Sequence, residues 1–388
     1  MTFRDEVLVL ARQARPFRAW KSVEVRRRID AAADQFRIVA GIASLRAEQG
    51  RDVRGFLSRL PIDVGDEIRV GTTLRSSADF ERVSTGYVDA IEAVGDESRL
   101  ELSVEGRSRS ADLVDCSAEH ESREWLNVRI DDLARALAAP FGVEVVVEAE
   151  ELGERFERFR LRSGETAWNA LERAARLRSI LIHSDERGRL LLASAGTAGV
   201  VPHEIAEDTS ERTTAIPARR WRWRHSNANR FQVYLVRGQG PGSDDAWGAE
   251  VALVEARAED SGVGRYRPLI VVPESSVTFE SAKDRARWEA SFRAARSTEL
   301  EVEVVGWHHS GEPRLGQDPE QSELWRVNQL VPFSIPSAGL SGRLLVAEVR
   351  FKKDERGMTT RLRLVRPDAY SAQPTVPNTD PLDERLVE

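Results

Sequence analysis

The pattern in this sequence with the clearest chemical potential is the run Arg219-Arg-Trp-Arg-Trp-Arg-His225, which alternates cationic and indole side chains. Side chains on a β-strand alternate between two faces, so the tryptophans would share one face and the intervening arginines the other. The arginine face would consist of Arg220, Arg222 and Arg224. Such a stripe could contact an acidic protein or a nucleic acid, with aromatic rings stacking on bases. We expect the tryptophans to point into a sheet and the arginines to meet a protein, because nothing else makes the chain basic.

Metal and thiol chemistry find little support in the sequence. Of six histidines, only His308 and His309 are adjacent, and neighbouring side chains on a strand point to opposite faces. One metal ion could hardly bind both there, and no carboxylate pattern accompanies them. Cys116 is the single cysteine, so neither an intrachain disulfide nor a cysteine metal cluster can form. We expect no metal site and a structural or neutral role for Cys116.

Signatures of catalysis and cofactor binding are also missing from the sequence. The run Gly238-Gln-Gly-Pro-Gly242 is rich in glycine, but its proline removes a backbone donor and no helix pattern follows. A phosphate cradle needs those donors and usually a helix start. No Gly-x-Ser-x-Gly motif is present. Acidic residues lie mostly beside arginines, which is typical of a solvated surface. We therefore expect no catalytic residue and no cofactor.

The composition is typical of a globular protein in which acidic and basic residues are nearly balanced. The 388 residues are 41% hydrophobic and 31% charged, with a formal net charge of −7. Two to four domains are expected at roughly 100–200 residues each. No stretch approaches the roughly 20 apolar residues needed to span a bilayer. The segment Met1–Leu10 lacks the basic start of a secretion signal, so we expect synthesis in a cytoplasm without standard export and no membrane partner.

The first hundred residues are predicted to form an antiparallel sheet or small barrel. Period-two runs separated by Gly, Asp and Ser turns carry this prediction. The predicted strands lie at 20–25, 36–39, 62–64, 68–70, 86–91 and 100–104. The polar, arginine-rich stretch 42–60 is expected to be a loop or a short helix.

The middle of the chain changes to helical spacing. Ile130, Leu133, Ala134 and Leu137 recur on one face, and a helix there should stop at Pro140 and Gly142. A second amphipathic helix is predicted at 166–178, with Trp168, Leu171, Ala175 and Leu177 inward. A strand is predicted at 143–147 and a hairpin at 180–192. Residues 119–200 are therefore predicted to be a small α+β domain.

Strands return in the last part of the chain. They are predicted at 221–223, 231–235, 299–307, 325–331, 344–351 and 361–365. A helix is expected at 281–297, with Trp288, Phe292 and Ala295 on one face. The stretch 238–264 is rich in Gly, Ser, Asp and Ala and is expected to be a long loop. The proline-rich tail 366–388 has few apolar residues and is expected to be extended, becoming ordered only against a neighbour.

Two segments of the sequence echo each other. Strand-like runs at 62–68, 87–91 and 99–104 have counterparts of the same order and character at 325–331, 345–349 and 361–365. The pattern indicates two related β units flanking the middle domain. The competing interpretation is that any two β-rich segments resemble each other, and the pattern alone does not decide between them.

Several segments, taken in order, resemble one known family. The matching runs are Gly86–Asp89, Gly106–Ala118, Ile130–Val143, Gly164–Arg176, Arg265–Ile270, Arg285–Trp288, Gly306–Trp307 and Leu324–Trp325 with Asn328. Together they are similar to the baseplate hub proteins of Mu-like phages with contractile tails. None of these runs is a catalytic signature. The resemblance spans roughly residues 15–365, and its strength lies in the collinear order.

The resemblance implies a fold and an assembly. The fold would be mainly β with an α+β insertion: two related β-barrel-like domains, 1–118 and 201–365, flank the α+β domain 119–200. Three subunits would form a ring of six similar units, adapting the threefold central spike to the sixfold tail tube. The expected partners are two further copies, the spike, the tube or its initiator protein, and possible wedge and tape-measure proteins, all in the virion. Within the matching run, Arg265, Tyr266 and Arg267 join the three strand arginines as predicted interface residues.

Two other classes of function compete with a structural hub. A tail-tip cell-wall hydrolase would need a paired-carboxylate or metal cleft, which the sequence does not reveal. A nucleic-acid-binding protein would use Arg220, Arg222 and Arg224, but the chain is not basic overall. Neither is expected.

Overall fold

The computed structural model describes most of the chain and confirms that it is mainly β, with 49% strand and 17% helix among the described residues. The described residues are 6–11, 15–41, 60–73, 80–96, 100–178, 180–209, 215–239, 253–273, 279–309 and 323–370. The chain divides into two compact units. Unit 1 holds residues 1–193, 303–327 and 347–362, and unit 2 holds residues 194–302, 328–346 and 363–388. No described helix is long and apolar enough to cross a membrane.

Unit 1 begins with strands and continues into a helical region. Its strands up to residue 193 are β1 (Glu6–Leu10), β2 (Pro16–Phe17), β3 (Ser22–Arg28), β4 (Gln35–Gly41), β5 (Glu67–Thr73), β6 (Phe80–Gly95), β7 (Leu100–Ser108), β8 (Glu124–Val128), β9 (Val145–Val147), β10 (Phe156–Arg160), β11 (Leu181–Ser184) and β12 (Leu190–Ala193). Its helices are α1 (Ala111–Asp115), α2 (Ile130–Ala138) and α3 (Ala167–Arg178).

Unit 2 supplies most of the next elements, and three of their strands cross the unit boundaries. The elements are β13 (Ile205–Ala206), β14 (Ile216–Pro217), β15 (Arg220–His225), β16 (Val233–Gln239), β17 (Leu253–Glu259), β18 (Pro268–Val271), α4 (Phe279–Arg296), β19 (Thr298–Val305), β20 (Leu330–Ile335), β21 (Leu340–Asp354) and β22 (Gly357–Val365). Residues 347–354 of β21 belong to unit 1, and residues 340–346 belong to unit 2.

The main sheet of unit 1 follows from alternating side chains. Strands run in the order β2-β1-β5-β6-β7-β4-β3, and β3 then pairs with residues 348–353 of β21. On β3 and β4, every second residue is buried, including Val23, Val25, Phe36 and Ile38. A Cβ added at Gly106 would lie 2.1 Å from the Tyr87 carbonyl oxygen, so only glycine allows β7 to approach β6 there.

Residues 113–192 of unit 1 bury a hydrophobic core of their own. Its centre is formed by Leu133 and Leu137 of α2 and by Ala170 and Leu171 of α3. Helix α2 begins and ends as the sequence predicts, and Gly142 closes the following turn with φ +65. β11 and β12 form the predicted hairpin, and β9 joins it in parallel to β12. The short helix α1 was not predicted.

Unit 2 contains a three-stranded sheet with helix α4 on one face. The strand order is β17-β16-β18, and α4 packs Ala282 and Ala286 against Val236 and Ala256. Elsewhere in unit 2, β14, β13, β20 and residues 340–346 of β21 pair in succession, and β15 pairs with β19. Small alanine side chains bring the helix close to the sheet.

The buried side chain of Asn328 fixes the start of β20 in unit 2. Its backbone adopts φ +69, which asparagine tolerates better than most residues. The Asn328 side-chain oxygen accepts from the Gly196 amide at 2.7 Å, and its nitrogen donates to the Ser194 carbonyl at 2.8 Å. The segment after residue 193 is thereby tied to β20.

Several predicted elements are wrong or shifted. The long loop predicted at 238–264 is wrong where described: residues 253–259 form β17, paired along its length with β16. Runs 62–64 and 325–328 are not strands: Val64, Val327 and Asn328 lie in turns, and the other residues are irregular. The predicted tail begins too early, because Ala369 and Tyr370 are buried. The stretch 42–59 and the tail beyond 370 lie outside the described residues.

The inward face predicted for α4 is also wrong in part. Trp288 and Phe292 are half-buried and stack on each other, with ring centroids 4.7 Å apart. The buried positions are instead mostly alanines, with Ala295 among them. In α3, likewise, Trp168 is half-buried while Leu171 and Ala175 are buried, and the Leu177 side chain lies outside the described residues.

Candidate partner-binding surface

Strand β15 displays the predicted alternation of arginine and tryptophan. Arg220, Arg222 and Arg224 are exposed, and Trp221 and Trp223 between them are half-buried instead of fully buried. The Trp221 indole nitrogen donates to Glu207 at 3.1 Å. Arg222 donates to Glu301 on the neighbouring β19 at 2.8 Å. Trp221 thus has a structural contact, and the arginines form the solvent-facing stripe.

The three residues of the second predicted group, 265–267, differ in their contacts. Arg265 is exposed, and Tyr266 is 78% exposed beside it. Arg267 instead donates to the backbone carbonyls of Arg230 at 3.1 Å and Ala228 at 2.9 Å. Arg267 therefore has a local structural role, while its two neighbours are available on the surface.

Unit 1 carries a charged sheet face that the sequence analysis did not identify. Its ion pairs include Arg26–Glu348 at 2.8 Å, Arg37–Glu105 at 3.2 Å and Arg107–Asp89 at 2.6 Å. Residues of this face line a shallow cavity of about 350 Å³. The Arg107 guanidinium also binds Asp115, and these hydrogen bonds raise the pKa of Arg107 and lower that of Asp115. Paired charges of this kind favour polar contact over acid–base chemistry.

The two adjacent histidines are buried in unit 1. His308 Nε2 lies 2.8 Å from a Glu81 carboxylate oxygen, and the His309 ring packs edge-on against Trp325. Within the described residues, no group of three or more His, Cys, Asp or Glu side chains is placed to hold a metal ion. Cys116 is an exposed free thiol. The predictions of no cofactor and no metal stay predictions for the whole chain.

A buried polar network connects β3, β7 and the β11–β12 turn in unit 1. Arg27 donates to Asp34 at 3.0 Å and to the Ser184 carbonyl at 3.3 Å. Ser108 accepts from the Asp34 amide at 3.0 Å and from the Ser184 hydroxyl at 3.1 Å. Desolvation raises the pKa of Asp34 to about 7 despite the opposing effect of Arg27. Desolvation lowers the pKa of His183 to about 4.

These two pKa shifts predict opposite pH dependences of stability. The raised pKa of Asp34 gives stability at low pH that is lost as pH rises from about 4 to about 7. The lowered pKa of His183 gives stability above about pH 6.5 that is lost as pH falls towards about 4. Asp34 faces Arg27, Asp185 and Glu186, which also face His183. The two effects therefore oppose each other in wild type.

Replacing either Asp34 or His183 should expose the pH dependence that the other residue gives to stability. Relative to wild type, we expect His183→Gln to gain unfolding free energy as pH falls from about 6.5 to about 4.5, and Asp34→Asn to lose it. Urea unfolding at the two pH values measures both differences. Comparison with wild type cancels the contribution of other carboxylates. If both variants kept the wild-type slope, this explanation would be wrong.

Comparison with known proteins finds matches along most of the chain. Three family models match in collinear order: the Mu phage baseplate assembly protein GpP-like N-terminal domain at residues 8–108, the baseplate hub protein gp44-like second domain at 110–194, and the GpP fourth domain at 278–373. Baseplate hub protein gp44 of Escherichia phage Mu is 28% identical over 370 residues, which cover 93% of this chain and 88% of that protein. This chain is a homologue of the Mu baseplate hub protein.

Solved structures agree with this homology. The 43 kDa tail protein of prophage MuSo2 from Shewanella oneidensis is 28% identical with a TM-score of 0.74, over 94% of this chain and 99% of that one. A tail protein from Neisseria meningitidis, 20% identical, shares the fold with a TM-score of 0.73, over 95% of this chain and 99% of that one. The predicted resemblance is confirmed, and this hub homologue is a structural tail component of a virion. The domain boundaries at 118 and 200 stay a prediction.

Proposed function

We propose that this hub homologue is the structural subunit at the centre of a contractile-tail baseplate, where three copies close into a ring. The collinear match of three baseplate domain models carries the proposal. The ring joins the threefold central spike to the sixfold tail tube or its initiator protein. Wedge and tape-measure proteins are further candidate neighbours. The work of such a subunit is to fit partners together, and it needs no catalytic group.

Two strand arrangements support the pseudo-sixfold part of the proposal. In unit 1, β5, β6 and β7 pair successively in antiparallel order. The echoed strands also pair with their chain neighbours: β20 with residues 340–345 of β21, and β22 with β21. Two related β units in each of three subunits supply six similar units. A threefold object can then match a sixfold one.

Ring closure sets requirements for the subunit surface. Cyclic trimers use head-to-tail contacts, so each subunit needs two different complementary faces. Permanent interfaces of this kind usually bury more than about 2,000 Å². Arg220, Arg222, Arg224, Arg265 and Tyr266 are exposed and are proposed interface residues. Charged residues there set register and exclude wrong partners more than they add affinity.

Light scattering of the purified chain tests the ring. We expect a mass of about 130 kDa, three times the 43.5 kDa of one copy, either alone or after addition of the spike protein. A chain that stays monomeric in both conditions contradicts the ring. The same preparation can be assayed for cell-wall hydrolysis and for DNA retention at low salt. Activity in either assay would favour the corresponding competing function.

A further inference from the structure

Strand β15 lies at an edge of its sheet in unit 2. Within the described part of the chain it pairs with β19 alone. An edge strand presents unpaired N–H and C=O groups that can accept another strand. Six residues of β15 span roughly 20 Å at about 3.3 Å per residue. This edge therefore offers a site for one short extended segment.

The side chains on this edge select for negative charge. Arg220 and Arg224 are exposed, and neither has an ion-pair partner among the described residues. Arg219, just before the strand, is exposed as well. Arg222 forms an ion pair with Glu301, and the Glu301 side chain is itself partly exposed. An acidic segment would therefore supply carboxylates to Arg220 and Arg224, which form no other ion pair among the described residues.

The described chain ends close to β15. Tyr370, its last residue, packs its ring 5.0 Å from the Arg296 guanidinium at the end of α4. Ser297, the residue after Arg296, accepts a backbone hydrogen bond of 2.8 Å from Ser226. Ser226 directly follows β15. His225 and Thr298 are hydrogen-bonded at 3.1 Å. All of these contacts lie within unit 2.

The sequence after Tyr370 has the matching charge. Residues 371–388 contain Asp380, Asp383, Glu384 and Glu388 against one arginine, a net charge of −3. Residues 382–388 contain no proline, which suits a strand about as long as β15. The eleven residues between Tyr370 and Leu382 can span roughly 36 Å, more than the length of β15.

We propose that residues 382–388 dock along the free edge of β15 and pair their carboxylates with Arg220 and Arg224. The occupant is this chain's own segment, placed on its own copy or exchanged with a neighbouring copy. Docking covers an edge that would otherwise template aggregation. The proposal does not rest on ring formation, because a monomer can pair the segment with its own strand.

Hydrogen exchange on the full chain tests the docking. In wild type, we expect backbone amides of 382–388 to exchange at least about tenfold more slowly than in an unstructured peptide. Arg220→Glu with Arg224→Glu should abolish that protection, and about 1 M salt should weaken it. A variant ending at Tyr370 should exchange faster in β15. Glu384 and Glu388 would share one face of the docked strand, as Arg220 and Arg224 do. Adding Glu384→Arg and Glu388→Arg to the arginine double variant should therefore restore protection.

Arg343→Glu is the matched control, because Arg343 is also an exposed strand arginine of unit 2. It should leave exchange in 382–388 unchanged. Unprotected amides at 382–388 in wild type, or protection that survives the Arg220 and Arg224 reversal, would overturn the proposal. Cross-linking of mixed isotope-labelled copies then shows which copy supplies the segment. Light scattering reports ring formation separately, so failure of the ring and failure of the docking are distinguishable.

Discussion

Asp260→Asn should lower the free energy of unfolding by about 3–5 kcal/mol, because it leaves a buried guanidinium without its counter-charge. Asp260 is fully buried and Arg230 is 2% exposed. Arg230 donates two hydrogen bonds to the two carboxylate oxygens of Asp260, at 2.6 and 2.8 Å. Asp260 also accepts from the Gly262 amide at 3.0 Å. Asparagine keeps the shape and one acceptor but removes the charge.

An exposed ion pair between the adjoining strands β16 and β17 provides the control. Arg237 and Glu255 also form a contact of 2.6 Å, but their side chains are 45% and 43% exposed. Glu255→Gln should therefore cost less than about 1 kcal/mol. Denaturant unfolding of both variants measures the contrast. Equal losses from Asp260→Asn and Glu255→Gln would show that burial does not set the strength of these pairs.

Leu133→Ala should destabilise the core of residues 113–192 by about 2–5 kcal/mol, since it creates a cavity in addition to losing apolar burial. Leu133 is fully buried on α2, with Leu137 beside it and Leu171 of α3 in the same core. Denaturant unfolding, with exchange of α2 and α3 amides as a local readout, measures the loss.

Leu126→Ala is the matched control for that substitution. Leu126 lies on β8 in the same region but is 72% exposed. Its truncation should change the unfolding free energy by no more than about 0.5 kcal/mol. A large loss from Leu126→Ala, or a negligible one from Leu133→Ala, would contradict the packing described for this core.

Elements with strong local patterns could be predicted from the sequence. Strands β3 and β4 bury every second residue, as their alternation requires. Helix α2 combines a regular apolar face with acidic residues in its first turn and a proline after its end. In these elements local propensity and burial agree, so the sequence alone reveals them.

Where the buried positions hold small residues, the sequence misled the prediction: β17 was missed, and α4 was predicted but with the wrong inward face. The inward positions of β17 are Val254, Ala256 and Ala258, whose weak hydrophobic contrast hides the alternation within a Gly- and Ser-rich region. Helix α4 likewise buries alanines, and the larger Trp288 and Phe292 suggest the wrong face. The buried faces of both elements are set by their packing in one cluster, which is tertiary information.

The candidate surface could be predicted only where its residues lie on one strand. The arginine stripe of β15 could be identified because its residues alternate within one short run. The Arg26–Glu348 pair joins residues 322 positions apart, and the Arg230–Asp260 pair spans 30 positions. No local pattern links such partners. The Asp34 and His183 shifts depend on burial that only the folded protein defines.

Electron cryomicroscopy of purified tails containing this chain tests the central claim most directly. The structural hub predicts three copies at the tail tip, between tube and spike, presenting six similar β lobes around the axis. Each copy should match the two β units and the helical region described here. A tail tip without the chain, or with a copy number other than three, would contradict the account.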